Sequence, residues 1–106
     1  MRFGVGIPTG CEGMYTPCSF ADHVEVVTSA QIAERLGFYS VWGADLTAPS
    51  PSMEMTGVQS PRFYEILISL AYVSAITERI KLGVGTITLP QRDPVVLAKQ
   101  AATLDV

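Results

Sequence analysis

Three short runs of apolar and β-branched residues alternate with three helical patterns, and this βαβαβα order constrains the fold more than any other feature of the chain. Residues 3–8 (FGVGIP) form the first run, closed by the turn residues Pro-Thr-Gly. Residues 39–44 (YSVWGA) form the second. Residues 80–89 (IKLGVGTITL) form the third, nearly continuous in apolar and β-branched residues, a pattern expected of a parallel strand buried on both faces. For the first helix, Ser19 suits the N-cap and Asp22 places an acid in the first turn. Val24, Val27, Ala30, Ala33 and Leu36 recur at helical spacing, and Gly37 closes the helix. The second helix is expected over residues 63–77, with Leu67, Leu70, Ala71 and Ser74 on one face and Ile66, Val73 and Ile76 widening the stripe. The third opens on the N-cap and N1 pair Asp93 and Pro94 and continues through Val96, Leu97 and Ala101.

The strand starts lie about 36 and 41 residues apart, room for a helical crossover in each interval. Such crossovers are right-handed and make the strands parallel neighbours. Three units cannot close a barrel, and they leave two strand edges and one poorly covered face. Composition points the same way. Of the 106 residues 48% are apolar and only 16% charged, against about 25% in typical soluble domains, with a mean hydropathy of +0.32. The length suits one small domain, yet its surface is composed to be covered.

Several functions are excluded at this stage. A net charge of −3 and a pI near 4.9 give no basic field for a phosphate backbone, so no nucleic-acid partner is expected. The longest apolar stretch, residues 66–76, contains two serines and is shorter than the ~18 residues a membrane helix needs. Residues 1–10 lack the cleavage pattern of a signal peptide, and a cytoplasmic location is expected. Cys11 and Cys18, in a loop, are too few for a disulfide scaffold and are read as reduced thiols. His23 is the single histidine, read as a solvated residue in the first turn of helix one, and no metal-ligand spacing exists.

Ligand sites in α/β folds lie at the carboxyl ends of the strands, which selects residues 8–18, 45–61 and 88–93. Asp45, directly after the second strand, can bond or orient a ligand, or serve as a loop or cap acid. Thr86 and Thr88, read as alternate positions of strand three, face one side and can offer hydroxyls to a cofactor or act simply as good strand formers. The Gly-x-Gly pairs, Gly4 with Gly6 and Gly83 with Gly85, lack the third glycine of a dinucleotide fingerprint, and close packing within a strand explains them. Trp42 is read as a core residue. Residues 45–61 form a long loop rich in Pro and Ser, in which Met53 and Met55 can line an apolar pocket.

Three segments taken together, MRFGVGIP, AERLGFYSVW and ITERIKLGVGTITLPQRDPVVLAKQAATLD, resemble the luciferase-like monooxygenase superfamily, and most closely its F420-dependent oxidoreductase branch. The last segment is the most specific: an LGxG strand, then Pro, Arg, an Asp-Pro helix start and AKQxATLD. The resemblance implies a (β/α)8, or TIM, barrel, of which this chain is expected to hold the N-terminal three βα units in one incomplete domain. It implies coenzyme F420, the first choice, or FMN at the carboxyl face, a small organic substrate, and an oxidoreductase or monooxygenase as the complete protein, a homo-oligomer. Carried over residue by residue, Asp45 matches an acid near the deazaflavin, Gly85 and Thr86 match a non-prolyl cis peptide behind the ring, and Thr88 matches a position that touches the cofactor. Leu46 departs from the pattern, because many F420-dependent relatives have His there as a proton donor. Two rival readings stand beside this one: a non-catalytic barrel remnant acting as an oligomer or partner-binding module, and a small doubly wound nucleotide-binding unit.

Overall fold

A computed structural model describes residues 1–10, 21–46 and 63–105. In chain order these form β1 (Gly4–Gly6), α1 (His23–Arg35), β2 (Ser40–Gly43), α2 (Ile66–Ser74), β3 (Lys81–Val84), a 3-10 turn (Leu89–Gln91) and α3 (Pro94–Leu104). The strands make one parallel sheet in the order β1-β2-β3, with Val5 opposite Val41 and Val41 opposite Leu82. Each crossover returns the chain to the adjacent position. The order does not reverse within these strands, so they hold no topological switch point of the kind at which doubly wound sheets bind nucleotides. The architecture is α/β with a small parallel sheet, compatible with part of a barrel.

Helix α1 begins later than Ser19, which lies outside the described residues. Its N-cap is Asp22, whose carboxylate accepts from the Val24 and Glu25 backbone N–H groups at 2.8 and 3.1 Å, while Glu25 accepts from the Asp22 N–H at 2.7 Å. Together these bonds form a reciprocal capping box. The inward stripe is Val26, Ala30 and Ala33. Val24 lies about 200° around the helix from Val26 and is exposed, as is Leu36 at the end. Of the expected stripe Ala30 and Ala33 are buried and Val27 is half-buried, while Val26 takes the inward place expected of Val24. Gly37 does close the helix: its φ is +82°, and the Phe38 N–H reaches back to the Ala33 carbonyl at 3.0 Å in a Schellman arrangement.

Helix α2 is shorter than the expected 63–77, because Glu65 is its N-cap, accepting from the Ile68 N–H at 2.7 Å. Ile66, Leu67, Leu70 and Val73 are buried, while Ala71 is exposed. Helix α3 opens as expected, with Asp93 accepting from the Val95 and Val96 N–H groups ahead of Pro94. It buries no residue fully, and only Leu97 and Leu104 pack against the core.

Strand β3 departs most from expectation. It ends at Val84, not at residue 89, and the Gly85-Thr86 peptide after it is cis. The Gly85 N–H makes the last ladder bond, to the Gly43 carbonyl at 2.9 Å, and the chain then turns through Pro90, which has no N–H to continue a ladder. Nor is β3 buried on both faces: Lys81 is exposed, and Leu82, Gly83 and Val84 are half-buried.

The helices cover one face of the sheet. There Ile7, Val41 and Ile80 join Val26, Ala30 and Ala33 of α1 and the buried stripe of α2 in one core. Trp42 lies on the opposite face, 47% exposed, and is not a core residue of this helix-covered layer. Alternation along β2 requires this, since Val41 and Gly43 already point to the helices. One glycine of each Gly-x-Gly pair, Gly4 and Gly83, explains how so large a ring lies there. A Cβ on Gly4 would come within 2.7 Å of the indole nitrogen, and one on Gly83 within 2.6 Å of Cε3. The glycines of β1 and β3 give the indole a flat bed, and its N–H donates to Ser40 Oγ at 2.8 Å.

Candidate active site

The chemistry-bearing residues gather at the carboxyl ends of the strands. Thr9, buried just past β1, accepts from the Ala44 N–H at 2.8 Å and so ties the ends of β1 and β2 together. One residue on, Asp45 is 5% exposed and is the centre of the cluster. Arg92 meets it with two parallel bonds, Nη2 to Oδ1 at 2.7 Å and Nε to Oδ2 at 3.0 Å. The Thr88 N–H donates to Oδ2 at 2.8 Å, and the Thr88 hydroxyl donates to the Asp45 carbonyl at 3.0 Å. Arg92 Nη2 also donates to Glu65 Oε1 at 2.6 Å, in a second ion pair.

Two charges in such contact shift each other. The Arg92 guanidinium holds the Asp45 carboxyl below the usual carboxylate range, and the Thr88 N–H adds to this against the opposing effect of burial. Asp45 and then Glu65 push Arg92 further above its already high value. The pair is ionised at neutral pH and bonded in fork geometry.

Of the residues the sequence singled out, Asp45 and Thr88 are brought into direct contact. Gly85 and Thr86 are exposed beside them, at the cis peptide. Thr86 and Thr88 are not alternate residues of one strand: β3 has ended, and Thr88 is turned onto Asp45 while Thr86 faces solvent. Leu46 is half-buried beside Asp45. Cys11, Cys18, Met53 and Met55 lie outside the described residues, and His23 is exposed. Arg92 and Glu65 were missed. One signal was available: Arg92 directly precedes the Asp93 cap, where the positive end of a helix disfavours a cation unless acids hold it.

A second acid is held at the opposite end of the sheet. Glu34 Oε1 accepts three backbone N–H groups, from Glu78, Arg79 and Ile80, at 2.9, 2.7 and 3.0 Å. These bonds, that of Arg79 first, draw its carboxyl below the usual range. Glu34 thereby fixes the turn that leads into β3.

Gly85 and Thr86 are exposed, and the Trp42 indole lies 3.6 Å from where a Gly85 Cβ would stand. Among the described residues no buried side-chain nitrogen or oxygen lacks a partner.

A family model described as luciferase-like monooxygenase matches residues 1–106. The chain belongs to the luciferase-like monooxygenase family. It is 29% identical over 82 residues to the oxygenase component of a flavin-dependent trigonelline monooxygenase of Acinetobacter baylyi, covering 77% of this chain and 20% of that protein. It is 32% identical over 76 residues to a luciferase-like monooxygenase of Escherichia coli K12, covering 72% of this chain and 20% of that protein. The chain thus spans about a fifth of the length of the curated relatives it matches. In this luciferase-like chain, among the described residues, no helix is long and apolar enough to cross a membrane.

Proposed function

We propose that the protein is a flavin-dependent monooxygenase or oxidoreductase acting on a small organic substrate, with the flavin ring lying against Gly85 and Thr86. The observation that carries this is the exposed Gly85 and Thr86 at the end of β3, with the Trp42 indole beside Gly85 and the Asp45–Thr88–Arg92 cluster behind. The name of the Acinetobacter relative speaks for flavin, and FMN therefore stands ahead of F420 as the cofactor.

A reduced flavin supplies the two electrons and the reactivity toward oxygen. What falls to these residues is placement. Gly85 and Thr86 offer the flat wall, Trp42 an apolar floor, and Asp45 with Thr88 the shape of the loop. Asp45 does not serve as a proton donor at neutral pH, being ionised against Arg92, and Leu46 has no proton to give. A dehydrogenase that takes its proton from a side chain at position 46 is disfavoured, which again favours flavin over F420.

The test is to express the protein to its natural stop codon and titrate it with FMN and with F420. Saturable FMN binding and oxygen consumption on reduction support the proposal. Binding of F420 with no response to FMN would restore the F420 branch. Failure to bind either would leave a non-catalytic barrel remnant.

A further inference from the structure

We propose that Arg92 is a positioning residue for the ring wall, acting through Asp45 and not on the cofactor itself; the inference rests on the flavin reading above. Residues 85–88 are fastened to the end of β2 at two points. Gly85 donates its N–H to the Gly43 carbonyl at 2.9 Å. Thr88 donates both its N–H and its hydroxyl to Asp45, at 2.8 and 3.0 Å. The exposed wall at Thr86 is strung between these anchors, so its position follows that of the Asp45 carboxylate.

That carboxylate is set by Arg92. A planar guanidinium meeting a planar carboxylate through two bonds fixes the plane as well as the distance, which a single ammonium does not. The same Nη2 reaches Glu65, whose other oxygen caps α2 at Ile68. One guanidinium therefore joins the end of β2, the start of α2 and the turn before α3. The Arg92 side chain is 17% exposed and that of Asp45 3%, so water competes little for the pair.

The test uses the protein expressed to its natural stop codon, as wild type, R92K, R92Q and E65Q. FMN affinity is read from flavin fluorescence, the bound-flavin visible spectrum is recorded, and a thermal midpoint is taken for each. Arg92→Lys keeps the charge and loses the fork; it is expected to fold, to bind FMN about tenfold or more weakly and to shift the bound-flavin spectrum. Glu65→Gln is expected to give a smaller loss of affinity. Should Arg92→Gln fail to fold, Arg92→Lys carries the comparison. A folded R92K with wild-type affinity and spectrum, changed only in its thermal midpoint, would overturn the positioning role and leave the flavin reading standing. Absence of FMN binding by wild type would overturn both.

Discussion

The Trp42 indole lies directly over Gly83, its register partner in β3, so closely that a single added methyl group has no room. A Cβ on Gly83 would meet Cε3, Cδ2 and Cζ3 of the ring at 2.6, 2.7 and 2.8 Å. The ring cannot retreat toward β1, because Gly4 bounds its nitrogen side and Ser40 holds its N–H. Gly83→Ala is therefore expected to cost about 1–3 kcal/mol through overpacking. Urea midpoints in a double-mutant cycle check this: the cost of Gly83→Ala should shrink in a Trp42→Leu background. An undiminished cost there would mean that the backbone, and not the indole, requires the glycine.

Glu34 gathers three N–H groups onto one oxygen in the turn before β3. Glu34→Ala is expected to lower stability by about 1–2 kcal/mol, reduced from the full value of a charge-assisted cluster because the side chain is half-exposed. Glu34→Gln, which keeps an acceptor oxygen, should lose less. Hydrogen exchange at residues 78–80 gives the local readout, and unchanged protection there in Glu34→Ala would contradict the account.

Glu34 and Asp45 together set an acid limb for stability. Backbone N–H groups, chiefly that of Arg79, lower the Glu34 carboxyl, and Arg92 lowers that of Asp45. With folded values below unfolded ones, the unfolded chain takes up protons first as the pH falls. The stabilisation is complete above the unfolded carboxyl range, near pH 4, and is lost as pH drops through the folded values. Urea midpoints against pH should be level near neutrality and fall on the acid side. The fall should be shallower in Glu34→Gln and in Asp45→Asn, and an unaltered acid limb in both would contradict it.

The sequence made the order of elements legible because strand and helix periods differ and Gly37, Asp93 and Pro94 carry unambiguous end signals. It placed Ala30 and Ala33 on the inward face of α1 but offered Val24 in place of Val26, since both satisfy helical spacing and only packing into the core selects between them. The end of β3 was hidden for a related reason: Thr86, Ile87 and Thr88 are good strand formers, and the turn away from the sheet is imposed by Asp45, far off in sequence. Asp45 stood out by position alone, but its partners Arg92 and Glu65 did not. A long-range ion pair leaves no periodic trace; only the awkward placing of Arg92 beside a helix cap hinted at it.

The most direct measurement of the central claim is hydrogen–deuterium exchange of the protein, expressed to its natural stop codon, with and without FMN. If the flavin ring lies at the carboxyl end of the sheet, FMN should slow exchange over residues 83–92 and leave the Glu34-bound turn at residues 78–80 unchanged. Saturating FMN that protects residues 78–80, or leaves 83–92 as in the free protein, would contradict it.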